Sequence, residues 1–203
     1  MWVSTRRGIA GLLLALLVGC GGPSLEPLPT DATVLAFGDS LTFGTGAARD
    51  AAYPAVLARL TGLTVINAGV PGEVSAAGVE RLPAALEEYR PDLVLLVHGG
   101  NDTLRKLPPE LTRANLRAMV EAGRSAGAQV AMLGVPGRNL TLSAPGFYEA
   151  VAEELAVPID NGTLPRLLRD RSLKADPVHL NAAGYRRLAE AVQALLVEAG
   201  ALP

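Results

Sequence analysis

Residues 33–41 read Thr33-Val-Leu-Ala-Phe-Gly-Asp-Ser-Leu41, an apolar run that ends directly in a polar turn. A short run without alternating polar residues is typical of a strand that is covered on both faces of a sheet. Similar runs occur at four further places, and segments with helical spacing separate them. The predicted strands are Thr33–Phe37, Leu63–Asn67, Leu93–Val97, Gln129–Leu133 and Val157–Ile159.

The segments between these runs have the spacing of amphipathic helices. In the last one, apolar side chains recur every three or four residues from Tyr185 to Leu196. Pro83 interrupts another helical pattern, so we expect a break or kink there. Strands that alternate with helices predict an α/β fold, a three-layer α/β/α sandwich around a five-stranded parallel sheet. Further helices are predicted around residues 56–60, 79–86, 109–120, 147–155 and 163–170.

Composition limits the function classes. The 203 residues are 49% hydrophobic and 19% charged, which suits one globular domain with a sizeable core. The 18 basic and 20 acidic residues nearly balance, giving a net charge of −2. No basic field is present to neutralise phosphates, so we expect no nucleic-acid partner. A single cysteine excludes an intrachain disulfide and a cysteine-based metal cluster.

The first twenty residues resemble the export signal of a bacterial lipoprotein. Arg6 and Arg7 precede the apolar stretch 8–19, which is shorter than the about 20 residues that span a bilayer. The stretch ends at Cys20, the position that a lipobox requires. We therefore expect 1–19 to be a signal peptide, 20–32 a lipidated cysteine with a proline-rich spacer, and 33–203 the folded domain. An ordinary signal peptide with an incidental cysteine is the alternative.

This interpretation predicts a location in the bacterial cell envelope, with the membrane reached through the lipid on Cys20. In enteric bacteria, an aspartate directly after the lipidated cysteine is associated with retention in the inner membrane. This chain has Gly21 at that position, which favours an outer membrane.

Polar clusters follow the predicted strands, at the sheet edge where α/β proteins bind ligands. They are Gly38-Asp-Ser-Leu41, Asn67-Ala-Gly69 and Gly99-Gly-Asn-Asp102, and a fourth cluster, Asp176-Pro-Val-His179, precedes the last helix. Serine is a weak nucleophile unless a base takes its proton. An acid three residues before a histidine can orient that base. Together the clusters offer every group that acyl transfer needs.

These four blocks, in this order, resemble those of the GDSL or SGNH hydrolases, over about residues 33–197. The similarity is closest to the bacterial arylesterase, acyl-CoA thioesterase and lysophospholipase branch. It implies a flavodoxin-like fold, no metal and no cofactor. It also implies that Ser40 is the nucleophile, that His179 is the base and that Asp176 orients it. The implied oxyanion hole consists of the Ser40 N–H, the Gly69 N–H and the Asn101 side-chain amide.

The expected activity is hydrolysis of carboxylic esters or thioesters with short to medium acyl chains, by a monomer. Few aromatic residues are available to line a larger pocket. A carbohydrate O-deacetylase with the same machinery and a non-catalytic binding scaffold remain alternatives. Pro177 stands where related thioesterases are expected to have a glycine. Proline makes the loop stiffer and removes one backbone N–H donor.

Several residues also have alternative roles. Ser40 could be a helix N-cap, and Gly69 could be only a turn glycine. His98 is the other histidine of the chain, but it has no acid nearby in the sequence. Asp39 and Asp102 are predicted to be structural. A metal site of His98, Asp102, Asp176 and His179 is conceivable, although no ligand spacing supports it.

A second motif imitates a catalytic one. Residues 123–127 read Gly-Arg-Ser-Ala-Gly and match the G-x-S-x-G elbow of α/β-hydrolases. That elbow needs a strand before it and a helix after it, whereas here the predicted order is reversed. Ser125 is therefore expected to be a helix-end residue.

Overall fold

Five parallel strands form one sheet, as the apolar runs predict. The structure is a computed structural model that describes residues 22–137 and 142–203. The strands are β1 (Thr33–Gly38), β2 (Thr64–Gly69), β3 (Leu93–Val97), β4 (Gln129–Leu133) and β5 (Ile159–Asp160). Their order in the sheet is β2-β1-β3-β4-β5.

Helices cover both faces of this sheet, which confirms the three-layer α/β/α fold. The helices are α1 (Ser40–Phe43), α2 (Tyr53–Thr61), α3 (Ser75–Tyr89), α4 (Gly100–Leu104), α5 (Pro109–Ser125), α6 (Phe147–Leu155), α7 (Thr163–Arg169) and α8 (Ala182–Glu198). α2 packs against α8 on one side of the sheet, while α3, α5 and α6 pack together on the other.

The central strands carry the core. Every residue of β3 is buried, and so is every residue of β1 after Thr33. By contrast, β2 lies at the edge and is only partly buried. Since all five strands run in the same direction, their carboxyl ends meet at one edge of the sheet, and the polar clusters lie there.

The fifth strand begins later than predicted. Pro158 has no N–H to donate to a ladder, and the N–H of Val157 instead donates to Ala152 O at the end of α6. Pairing with β4 therefore starts at Ile159. The buried Val157 is a core residue that precedes the strand.

The break or kink expected at Pro83 is not seen as an interruption, because α3 continues from Ser75 to Tyr89. Proline removes one backbone hydrogen bond in mid-helix. Leu82 and Leu86 are buried on either side of it, so the packed apolar face holds the helix across the missing bond.

Part of the predicted spacer is attached to the domain. Leu25 N–H donates to Ala199 O over 2.8 Å, and Leu28 N–H donates to Ala201 O over 2.9 Å. The side chain of Gln129 also bonds to the backbone of Glu26. We call residues 25–28 the N-terminal strap. Residues 25–28 of the expected proline-rich spacer are thus bonded to the domain.

The predicted signal peptide 1–19 and Cys20 lie outside the described residues. Within residues 22–137 and 142–203, none of the helices combines the length and the apolar character needed to cross a bilayer.

Candidate active site

Ser40 lies where β1 passes directly into α1. Asp39 is the N-cap of that short helix, and its Oδ1 accepts the N–H of Leu41 at 3.0 Å. Ser40 is thus the first helical residue and not the cap. Its hydroxyl is 3.0 Å from Nε2 of His179.

His179 sits on a tight loop before α8. Its Nδ1 is 2.7 Å from Oδ2 of Asp176, while Oδ1 of Asp176 accepts the N–H groups of Val178 and His179, both at 2.9 Å. Pro177 lies between the acceptor and these two donors, so its missing N–H leaves no bond unmade in this turn. The structure thus brings Ser40, His179 and Asp176 into one hydrogen-bonded chain.

The Asp176 carboxylate is stabilised in its ionised form. Its partial burial acts to raise its pKa, but the His179 ring and the two backbone N–H groups outweigh this and lower the pKa below its usual range. An ionised carboxylate keeps the ring proton on Nδ1 and leaves Nε2 of His179 free to accept the serine proton.

Asn101 reaches the same site from the start of α4. Its Nδ2 donates to Oδ2 of Asp39 at 3.1 Å and to the carbonyl oxygen of Glu73 at 3.0 Å. Burial raises the pKa of the Asp39 carboxyl. Asp39 therefore links the serine helix to the amide of Asn101, a structural role that agrees with the prediction.

Gly69 does not occupy the predicted position. It ends β2, where its N–H donates to Oδ1 of Asn67 at 3.0 Å, and a Cβ at Gly69 would collide with the backbone of Phe43. It allows α1 to pack closely against β2. The prediction that its N–H belongs to the oxyanion hole is wrong, because that N–H has an acceptor and Gly69 is absent from the described lining of the cleft.

Gly72 lines the cleft three residues later. Glu73 N–H donates to Val70 O at 3.2 Å, and Gly72 has a φ of +80°, which is the pattern of a type II turn with Pro71 at its second position. No described residue accepts a hydrogen bond from the Gly72 N–H, whereas its carbonyl accepts from Arg105 at 2.8 Å. The Pro-Gly pair was the sequence signal that could have identified this turn.

Glu73 ends the turn with a nearly buried carboxylate. Arg81 donates to both of its oxygens, at 2.8 and 2.7 Å, and Nε2 of His98 is 3.0 Å from Oε2. Burial acts to raise the pKa of Glu73, but its hydrogen bonds to Arg81 and His98 and the charge of Arg81 overcome this and lower the pKa to about 2. Sequence reasoning missed this carboxylate entirely.

His98 is buried and has partners for both ring nitrogens. Gly99 N–H donates to Nδ1 at 2.9 Å, so the ring proton lies on Nε2 and donates to Glu73. The ring is fully inaccessible. His98 is therefore not available as the base, in line with the prediction that favoured His179.

Asp102 and Ser125 lie outside the hydrogen-bonded chain of the site. Asp102 accepts hydrogen bonds from the N–H and hydroxyl of Ser75, which makes it structural. Ser125 is the last residue of α5, as expected for a false elbow motif. In the part of the chain that the structure describes, no group of three or more His, Cys, Asp or Glu side chains could hold a metal ion.

An apolar cleft of about 260 Å³ opens beside Ser40 and His179. Its walls come from loops that follow four strands and from the histidine loop. No lysine, arginine or glutamate is among the described lining residues. The apolar walls include Leu41, Pro71, Leu104, Val135, Pro136, Leu142, Leu168, Pro177 and Val178.

Comparisons with known proteins agree with this geometry. The model of the GDSL-like Lipase/Acylhydrolase family matches residues 36–187. The Thioesterase 1/protease 1/lysophospholipase L1 of Escherichia coli K12 is 32% identical over 161 residues, 73% of this chain and 76% of its own length. The Esterase TesA of Pseudomonas aeruginosa is 37% identical over 108 residues, 51% of this chain and 54% of its own.

A crystal structure of TesA superposes with a TM-score of 0.73 at 30% identity, covering 81% of this chain and 97% of that one. The family match spans the strand-end clusters, the apolar cleft and the histidine loop. The chain therefore belongs to the GDSL-like lipase and acylhydrolase family, and it is an SGNH-type hydrolase of ester bonds.

Proposed function

We propose that Ser40 is the nucleophile of an esterase and thioesterase that acts through an acyl-enzyme. The observation that carries this proposal is the hydrogen-bonded chain from Ser40 through His179 to Asp176, with contacts of 3.0 and 2.7 Å, at the mouth of an apolar cleft. The geometry fits the distances that general-base activation of a serine requires.

In the first half-reaction, Ser40 Oγ attacks the acyl carbonyl while its proton passes to Nε2 of His179. The tetrahedral intermediate collapses, and the leaving alcohol or thiol departs with that proton. In the second half-reaction, water attacks the acyl-enzyme and gives a proton to His179. The carboxylic acid leaves, and Ser40 regains its proton. Asp176 stabilises the imidazolium in both halves.

The oxyanion forms within reach of three N–H donors. We assign these as the backbone N–H groups of Ser40 and Gly72 and the side-chain amide of Asn101. Gly72 replaces the predicted Gly69, since it lines the cleft and its N–H has no described acceptor. Both N–H bonds of Asn101 already have acceptors, so the oxyanion shares one of them.

The cleft favours an uncharged acyl group of short to medium length. Its walls are mainly apolar, and a volume of about 260 Å³ holds a limited chain. Neither a cationic nor an acidic group beyond His179 and the buried Asp39 lines its described part. A sugar would leave its hydroxyls without partners there, which disfavours the O-deacetylase alternative.

A substrate panel tests this function. Full-length enzyme is assayed with p-nitrophenyl acetate, butyrate, octanoate and palmitate, with acyl thioesters of matching length, and with acetylated sugars. We expect the highest kcat/KM for butyrate or octanoate, and at least 10-fold less for palmitate and for every acetylated sugar. A preference for acetylated sugars would replace this proposal with the deacetylase. Inertness of the purified protein towards every acyl substrate would favour a binding scaffold.

We also propose that the protein is a monomer held in the bacterial cell envelope by a lipid on Cys20. The support is the sequence pattern around the only cysteine of the chain. Stable anchoring needs more than one acyl chain, which a multiply acylated N-terminal cysteine has. Mass spectrometry of the N-terminal peptide from membranes tests this, together with Cys20→Ser, which we expect to prevent lipidation. An unmodified thiol at position 20 in membrane-derived protein would refute the anchor.

A further inference from the structure

A cluster of one ion pair and one histidine lies beside the turn that contains Gly72. Its members are Glu73, Arg81 and His98, whose side chains are 6%, 29% and 0% exposed. The guanidinium of Arg81 also stacks 4.0 Å above the ring of Phe37, a β1 residue. Burying charge is unfavourable unless it is fully paired, so this cluster needs a reason beyond filling space.

The cluster connects two of the three assigned oxyanion donors, the N–H of Gly72 and the amide of Asn101. Glu73 closes the turn that presents Gly72, and its carbonyl accepts the amide of Asn101 at 3.0 Å. His98, which directly follows β3, donates its Nε2–H to the carboxylate of Glu73. Its Nδ1 accepts the N–H of Gly99, two residues before Asn101. The turn and the start of α4 are therefore joined through one carboxylate.

Arg81 anchors this carboxylate to the sheet. Its Nη2 donates to Ala68 O at 3.0 Å as well as to Glu73, so it ties the end of β2 to the turn that follows it. A type II turn alone leaves its tip free to rotate. Two hydrogen bonds from Arg81 and one from His98 to the carboxylate of Glu73, the last residue of the turn, restrict that rotation.

We propose that Glu73 is a positioning residue, which through Arg81 and His98 holds the Gly72 N–H and the Asn101 amide at the oxyanion site. The proposal rests on the hydrolase function above and adds to it. Preorganised donors are effective because they need no reorganisation when charge develops. Loss of the cluster should therefore lower kcat and leave the ground-state acyl contacts in the cleft unchanged.

Glu73→Gln tests this, because it keeps the shape and removes the charge. We expect kcat for p-nitrophenyl butyrate to fall about 10- to 100-fold, with KM within about twofold and the acid limb of the pH profile unshifted. Glu154→Gln is the matched control, since Glu154 pairs with Arg113 and Arg117 at the surface. It should leave both constants unchanged.

A double-mutant cycle separates positioning from a structural role. In an Asn101→Ala background the amide is already gone, so Glu73→Gln should cost clearly less than it does alone. The proposal would be overturned if Glu73→Gln lowered kcat by the same factor in both backgrounds. It would also be overturned if the variant had a lower Tm but an unchanged kcat at temperatures below that Tm. Should Glu73→Gln fail to fold, Arg81→Lys keeps the charge but loses the two-pronged contact, and the same two criteria apply. A wild-type enzyme that hydrolyses no acyl substrate would instead contradict the proposed function itself, and the wild-type assay detects that separately.

A second inference comes from the N-terminal strap. The strap bonds to Gln129, the first residue of β4, and to the tail after α8. Ser40 and Asn101 lie past the opposite, carboxyl ends of the parallel strands. The chain therefore enters the domain at the end of the sheet that is remote from the cleft.

The tether between lipid and strap is short. Leu25 is five positions after Cys20, and an extended chain of five residues spans at most about 18 Å. A domain of this size is about 40 Å across. Because the chain enters the domain at the end opposite the cleft, a tether of about 18 Å is too short for the cleft end to turn onto the bilayer surface.

We infer that the cleft faces away from the membrane that holds the lipid, so that its substrates arrive from the aqueous side. This rests on lipidation of Cys20, as proposed above. The consequence is that the enzyme draws soluble acyl esters in preference to lipids of its own bilayer.

Fluorescence energy transfer to headgroup acceptors tests the orientation without using activity. Lipidated full-length protein in phosphatidylcholine vesicles carries a donor dye on Val178→Cys at the cleft rim, or on Glu198→Cys beside the strap. We expect transfer at least threefold weaker from position 178. Equal transfer, or stronger transfer from position 178, would overturn the inference. Absence of the lipid, seen by mass spectrometry, would remove its basis, which is a separate result from a wrong orientation.

Discussion

Asn101 is the residue whose role is easiest to isolate from folding. It is partly exposed at the cleft, and its amide contacts only Asp39 and a backbone carbonyl. Asn101→Ala should lower kcat by about 10² to 10³, since removal of one oxyanion donor has that effect. The measurement is steady-state kinetics beside a thermal melt. Asn115→Ala, which removes an amide bonded to Ser75, is the control and should keep kcat. An Asn101→Ala enzyme with wild-type kcat would exclude the amide from the oxyanion hole.

Glu73 also predicts how stability responds to acid. Its pKa is lowered from 4.5 to about 2 in the folded protein. Its contribution is therefore fully present above the unfolded pKa and is lost as the pH falls from about 4.5 towards 2. Urea unfolding of wild type and Glu73→Gln across this range should show a flatter acid dependence in the variant. Parallel curves would mean that Glu73 does not titrate in that window.

How far the sequence predicts the site depends on the range of each contact. Asp176 and His179 are three residues apart, so their pairing follows from a local motif. Glu73 and His98 are 25 residues apart, and only the packing of the turn against β3 brings them together. The error at Gly69 has a similar origin. Gly69 is the last residue of β2 and Gly72 lies in the turn that follows it, and which of the two N–H groups faces the cleft depends on where α1 packs.

At the scale of elements, the contact between α1 and β2 depends on the missing side chain of Gly69. A Cβ there would meet the backbone of Phe43, which cannot move without disturbing α1. Gly69→Ala should therefore destabilise the protein by about 1–3 kcal/mol or more, as overpacking does. Chemical denaturation measures this. Gly146→Ala is the control, because a Cβ at that position meets nothing. Equal free energies of unfolding for the two variants would contradict the claim that α1 and β2 can pack closely only with glycine at position 69.

Apolar spacing predicted the type and order of the long elements well, because burial controls both. The helix α6 matches its predicted range of 147–155. Hydrogen-bond availability decided the cases that differ. Pro158 delayed β5 because it lacks an N–H, whereas Pro83 lost a single bond that the packing of Leu82 and Leu86 compensates.

On the scale of the whole molecule, the strap joins both ends of the chain. It adds backbone hydrogen bonds to the tail after α8 and partly buries Leu25 and Leu28. Removing residues 1–28 should lower the free energy of unfolding by about 2 kcal/mol or more and the Tm by about 4 °C or more. A chain that lacks only residues 1–19 is the control. Since the strap is remote from the cleft, kcat should stay within about twofold. An unchanged Tm would mean that the strap contributes nothing to stability.

The central claim is that Ser40 performs the chemistry, and one comparison of two serines tests it most directly. Hydrolysis of p-nitrophenyl butyrate is measured for wild type, Ser40→Ala and Ser125→Ala, the last of which alters the false elbow motif. We predict that Ser40→Ala lowers kcat by about 10⁴ to 10⁶ with the fold intact, and that Ser125→Ala keeps the wild-type rate. Undiminished activity of Ser40→Ala would contradict the account.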